Sequence, residues 1–319
     1  MKFKNPLRFT AIVGSATLLA TCFLFTGVEA EAQQIQIVDA PQTGAAPTGP
    51  HSVVVEHDPG LETHTIYRPG ELGPDPNPVL VWGEGGCANN GLMFPEFLAE
   101  IASHGFVVIA DGPPNPPAPP AGGRGAANAP NPVPNGAPAA PPRIAPDGTD
   151  LVAAMDWIEG EASNPNGRFF EKVEVSRIAA MGMSCGGLMS YGASNDPRVA
   201  TVGIWNSGLL EPDAQIFEEL HSSVIIVTGG ESDIAYANGK RDFETLPPSV
   251  PVFYGVYPSV GHGGTYNQDN GGAFGEAAVA WLNWQLRGDT GASGRGYFTG
   301  NDCGVCGDEK WITDSRSLN

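Results

Sequence analysis

The stretch Arg177–Tyr191, RIAAMGMSCGGLMSY, constrains the fold of this chain more than any other. It begins as a short apolar strand, passes through a glycine-bounded turn and opens into a helix. Gly182-Met183-Ser184-Cys185-Gly186 fits G-x-S-x-G, a strand-to-helix elbow with a strained central residue. The pattern has a steric origin. Backbones entering and leaving so sharp a turn cross closely, so the positions two before and two after the centre must lack bulk. Such a turn lifts the Ser184 hydroxyl clear of a sheet. It also aims the N–H of Cys185, at a helix N-terminus, at the space beside that hydroxyl. In a chain with 43 glycines the pattern can also mark an ordinary structural turn. The strand before it and the helical run after it favour the elbow.

An elbow of this kind needs a parallel sheet, and the flanking sequence supplies one. Val79–Trp82 is a compact apolar strand, followed by the polar glycine loop GEGGCANNG at Gly83–Gly91. Phe94, Phe97, Leu98 and Ile101 then recur at helical spacing, Gly105 suits a helix C-terminus, and Phe106–Ala110 is again a buried strand. Strand, helix, strand in that order makes a βαβ unit. Further strands are expected at Ser52–Val55, Thr63–Arg68, Ile178–Met181, Val199–Trp205, Val224–Val227 and Val252–Tyr257. Helices are expected after Thr149, as N-cap of a stripe of Leu151, Ala154, Met155 and Ile158, and across Phe274, Ala277, Ala278, Trp281 and Leu282. The tail beyond Gly288 reads as irregular, with one edge strand near Trp311–Thr313. The expected fold class is α/β, a mostly parallel central sheet with helices on both faces, in one domain over residues 51–319. An extended leader at 33–50 precedes it. A segment at 113–146, with 13 of the 30 prolines, interrupts it. That segment cannot bury a core, and it reads as a surface linker or as a flap leaving the ligand-binding edge of the sheet.

Residues 1–32 read as a secretory signal: Lys2, Lys4 and Arg8, an apolar run to about Val28, and small-x-small sites at Val28–Ala30 and Ala30–Ala32. A retained membrane anchor is the competing reading, weakened by Gly14, Ser15 and Thr21. The expectation is a secreted protein with no membrane attachment after cleavage. The full chain carries a net charge of −19. With no basic patch to neutralise phosphates, nucleic-acid binding is not expected. Four cysteines follow the signal, an even number in an exported chain, which favours disulfides. Cys303 and Cys306 can close a tight local ring. A zinc site would need a second Cys/His pair at suitable spacing, and a redox pair would need a helix start beside a βαβ unit.

A serine hydroxyl is a weak nucleophile. It needs a base within hydrogen-bond reach, and the base needs an acid to fix its tautomer. In an open α/β sheet with an elbow these follow in the order Ser, Asp, His. VIIVTGGESD ends a strand in a glycine turn and puts Asp233 at the sheet's C-terminal edge; VPVFYGVYPSVGHGG puts His262 on the next such loop. Glu231 and, more weakly, Asp213 compete for the acid. His51, His57, His64, His104 and His221 compete for the base, but each precedes the sheet core, ends a helix or leads into a strand. A tetrahedral oxyanion needs a second N–H besides that of Cys185, and Cys87, in the glycine loop after the early strand, is placed to give it. No metal or cofactor is required by this set.

On these residues the chain resembles the α/β-hydrolase superfamily, in particular the secreted cutinase-like polyesterases and poly(ethylene terephthalate) hydrolases of the dienelactone-hydrolase group. The likeness covers about Val79–Gly288 apart from the proline-rich segment. It rests on Ile101–Ile109 (IASHGFVVI), the elbow, E-x-D at Glu231–Asp233 with Ile234-Ala235 after it, and V-A-W at Val279–Trp281. It implies ester hydrolysis with Ser184 as nucleophile, Asp233 as acid, His262 as base, and the amides of Cys87 and Cys185 as oxyanion donors. The substrate would be a small or polymeric ester, and the protein a monomer. The polyesterases usually carry an aromatic residue at the position of Cys87 and a methionine at that of Cys185. If both backbones serve one oxyanion, these two cysteines are close enough to form a disulfide. Dienelactone hydrolases themselves use cysteine, so Cys185 is the alternative nucleophile. A serine peptidase would use the same triad, and a non-catalytic binding protein could keep the same scaffold.

Overall fold

The structure is a computed structural model, and it describes residues 34–40, 44–114, 147–301 and 303–318. The signal segment 1–32 and nearly all of the proline-rich segment 113–146 lie outside the described residues.

Ten strands form one sheet among the described residues. In chain order they are β1 (Gln36–Ile37), β2 (Val53–His57), β3 (His64–Pro69), β4 (Asn77–Gly83), β5 (Val107–Asp111), β6 (Val173–Met183), β7 (Val199–Trp205), β8 (Ser223–Thr228), β9 (Val252–Val256) and β10 (Ile312–Arg316). The order across the sheet is β1-β2-β3-β5-β4-β6-β7-β8-β9-β10. The six strands from β5 to β9 pair in parallel. The three at one edge and β10 at the other are antiparallel. The fold is therefore α/β with a mostly parallel sheet. The extended leader contributes to it, since β1 pairs with β2.

Parallel strands buried on both faces need apolar residues at every position, with alternate side chains entering different cores. Leu80, Trp82, Ala179 and Met181 enter one core, with α1 (Pro95–Ser103) and α6 (Gly272–Arg287) packed over them. Val79, Val81, Ile178 and Ala180 enter the other, under α2 (Thr149–Ser163), the C-terminal half of α3 (Cys185–Ala193), α4 (Ala214–Glu219) and α5 (Tyr236–Thr245). The Phe274–Leu282 stripe is wholly buried, and Trp281 Nε1 donates to Thr201 Oγ1 of β7 at 2.8 Å.

Three local expectations are corrected. Thr149 is the first helical residue of α2 rather than its cap; Gly148, in the left-handed region at φ 78°, holds that place, and Asp147 Oδ1 accepts the Thr149 N–H. Left-handed entry suits glycine, so the chain turns there before a hydroxyl can cap it. The tail holds two single-turn helices, α7 (Arg295–Phe298) and α8 (Gly304–Gly307), besides the edge strand β10. Short helices α4 and α5 fill connections that showed no clear apolar stripe.

Candidate active site

Strands β4, β6, β7, β8 and β9 end side by side at one edge; Cys87 follows β4, Ser184 and Cys185 follow β6, Asp233 follows β8 and His262 follows β9. At the end of β6 the elbow takes the predicted shape. Ser184 sits at φ 53° and ψ −111°, between β6 and α3. A non-glycine residue there costs about 1–3 kcal/mol and persists only where its neighbours hold it. Two residues of the adjoining β7 end do so: the Ser184 N–H donates to the Trp205 carbonyl at 2.9 Å, and Ser207 Oγ donates to the Ser184 carbonyl at 2.6 Å. The glycines explain themselves sterically. A Cβ on Gly186 would meet the carbonyl of Gly83 on β4, and one on Gly182 would meet the carbonyl of Gly186.

The three side chains expected to act together do meet. His262 Nδ1 donates to Asp233 Oδ1 at 2.6 Å. That bond fixes Nε2 as the acceptor, 2.9 Å from Ser184 Oγ. Asp233 is 3 % exposed. Burial opposes its charge. Donors on both oxygens outweigh that: His262 first, then the N–H groups of Gly229 and Ala235 and the amide of Asn206. They hold the carboxyl below the usual carboxylate range. An ionised acid, a base with one defined tautomer and a hydroxyl at hydrogen-bond distance can together transfer the hydroxyl proton to the imidazole.

The competing residues have other places. Glu231 is exposed. Asp213 caps α4, accepting the N–H of Gln215 at 3.0 Å. His64 is buried in β3 with Nε2 3.0 Å from the Asp150 carbonyl, and His104 Nε2 lies 3.0 Å from Glu100.

Cys87 ends a 3-10 turn at Gly85–Cys87 and, like Gly86 before it, lies in the left-handed region, at φ 49°. It forms a disulfide with Cys185, with the two Cα atoms 5.4 Å apart. The two backbones expected to face one oxyanion are thus covalently joined, and Cys185 has no free thiol to serve as nucleophile. Cys303 and Cys306 form the second bridge.

Two features of the site escaped the sequence. Asn206, next after β7, bonds to Asp233. Glu84, in the glycine loop ahead of Cys87, is fully buried. Trp82 Nε1 donates to its Oε2 at 3.1 Å, while Oε1 has no hydrogen-bond partner among the described residues. Burial, reinforced by the nearby Asp111 charge, pushes its carboxyl well above the ordinary range despite that bond. Glu84 follows β4 in a polar glycine loop, and nothing in the sequence marks it for burial against Trp82, two residues back inside the strand.

No protein-family model and no curated protein matches the chain.

Proposed function

We propose that this chain is an exported serine hydrolase with the α/β-hydrolase fold, and that it cleaves carboxylic esters. One observation carries the reading: a serine hydroxyl on a strained elbow, 2.9 Å from an imidazole whose far nitrogen is held by a buried carboxylate. Strain of this kind persists only where surrounding contacts enforce it, and a structural turn would have no use for the aligned His and Asp.

In the proposed reaction Ser184 Oγ attacks the ester carbonyl while His262 Nε2 takes its proton. Asp233 stabilises the resulting imidazolium. The amides of Cys87 and Cys185 stabilise the oxyanion. Collapse of the tetrahedral intermediate expels the alcohol, which His262 protonates, and leaves an acyl-serine. Water, deprotonated by His262, then attacks the acyl group, and Ser184 leaves with the proton returned. Ile234, 80 % exposed and adjoining Asp233, offers apolar surface for the acyl or alcohol part. The basic-then-apolar start of the chain and the two disulfides support export.

The test is labelling of purified protein, lacking residues 1–32, by a fluorophosphonate probe, followed by turnover of nitrophenyl esters of graded acyl length and of short peptides. Labelling that Ser184→Ala abolishes, with ester turnover above peptide turnover, supports the proposal. Absence of labelling, or labelling that survives Ser184→Ala, rejects it.

A further inference from the structure

Asn206 is fully buried, and every polar atom of its amide is engaged at the site. Nδ2 donates to Asp233 Oδ2 at 2.7 Å and to the Gly261 carbonyl at 3.1 Å. Oδ1 accepts the Tyr266 hydroxyl at 2.6 Å. Reversing the amide would set its oxygen against a carboxylate and a carbonyl, so only this orientation satisfies the three partners. Gly261 immediately precedes His262 and Tyr266 lies four residues beyond it. One side chain therefore grips the loop carrying the base on both sides of His262, and grips the acid as well.

Its own position is fixed from the sheet and the core. The Asn206 N–H donates to the Val227 carbonyl at 2.7 Å, and its backbone is left-handed at φ 43°, a region asparagine enters more readily than other non-glycine residues. Tyr266 is in turn caged by rings, with Phe94 at 4.6 Å, Phe97 at 5.2 Å and Phe274 at 5.4 Å between centroids. Substitutes for the amide fail on chemical grounds. Aspartate would set a second carboxylate against Asp233. Leucine would strip the buried Tyr266 hydroxyl of its acceptor and leave Asp233 Oδ2 and the Gly261 carbonyl each one donor short, with only the Gly229 and Gly264 N–H groups remaining to them.

We propose that Asn206 is a positioning residue that holds Asp233 and the His262 loop in register, with Tyr266 tying it to the aromatic core. The inference rests on the reading of Ser184, His262 and Asp233 as a triad. It predicts that losing the amide lowers kcat with little effect on KM, because the amide acts on the acid–base pair and not on the substrate.

The experiment compares Asn206→Ala and Tyr266→Phe with the wild type in ester hydrolysis. The low-field proton resonance of the imidazole N–H shared by His262 and Asp233 is recorded for each. Asn206→Ala is expected to lower kcat by roughly ten- to hundredfold with KM within about threefold, and to shift or broaden the low-field signal. Tyr266→Phe removes one hydroxyl without opening a large cavity. It keeps the proposal testable if Asn206→Ala fails to fold, and should change both readouts in the same direction by a smaller factor. Folded variants with wild-type kcat and an unmoved resonance would overturn the proposal, as would a loss lying wholly in KM. A wild type that takes no fluorophosphonate would instead retire the triad reading, and the resonance would still decide whether Asn206 orders the pair.

Discussion

The disulfide between Cys87 and Cys185 joins the two residues whose amides would bind the oxyanion, so its removal should affect stability and catalysis by separable amounts. The bridge closes a loop with a sequence separation of 98. On the chain-entropy account a loop of that size constrains the unfolded state by about 4–5 kcal/mol, and removal of native bridges typically costs about 2–5 kcal/mol. For a domain of this size each kcal/mol corresponds to about 2–4 °C in Tm, so the double variant Cys87→Ala/Cys185→Ala should melt on the order of 10 °C lower. Cys303–Cys306 has a sequence separation of only 3. The corresponding double variant should lose far less, and it controls for effects of reductant.

The catalytic consequence has a different origin. Gly86 and Cys87 lie one after the other at positive φ, and the bridge ties them to the start of α3. Without it, nothing covalent keeps a cysteine-sized residue at φ 49° beside the elbow. Removing one oxyanion donor outright costs about 10²–10³ in kcat. A donor left in place but free to move should cost roughly ten- to hundredfold, with KM little changed, because the oxyanion forms only after binding. The assay is ester hydrolysis at a temperature well below the melting point of both proteins, alongside thermal unfolding. A double variant that melts lower but keeps wild-type kcat would reduce the bridge to a structural staple. One that keeps its Tm as well would refute both halves of the reasoning.

Three further outcomes are expected. Ser184→Gly should abolish turnover while raising stability by about 1 kcal/mol in denaturant unfolding, since glycine accepts φ 53° without strain; a destabilised variant would contradict the strain assigned to the elbow. Gly186→Ala should prevent folding or cost upwards of about 3 kcal/mol, because its methyl group meets the Gly83 carbonyl, and soluble protein of wild-type Tm would refute that crossing. Glu84 binds its proton more tightly in the fold than in the unfolded chain, so its contribution is fully present below the ordinary glutamate value and is lost as pH rises toward the folded one. The Tm advantage of Glu84→Gln over wild type should therefore grow from pH 5 to pH 8, and a difference independent of pH would show the carboxyl titrating normally.

What could be read from the chain and what could not divides on the range of the interactions involved. The elbow was legible because its cause is local: two glycines four residues apart answer a crossing made by the same short stretch and one neighbouring strand. The strands were legible because a parallel sheet covered on both faces turns burial into unbroken apolar runs, as at Val79–Trp82 in β4 and Val224–Val227 in β8. Helix α5 was not, since among YANGKRDFET only Gly239, Asp242 and Phe243 are buried, too few to draw a stripe. Glu84 read as part of a solvated loop because charge usually means exposure. Its burial becomes evident only when Trp82 and the Asp111 strand close around it. Asn206 is the extreme case. Its partners Asp233, Gly261 and Tyr266 lie 27, 55 and 60 residues away along the chain. An asparagine after a strand is by itself a turn residue. Its role arises because β7 ends beside both the elbow and the acid loop, so the residue leaving that strand must either bond to what surrounds it or leave buried polar groups unpaired.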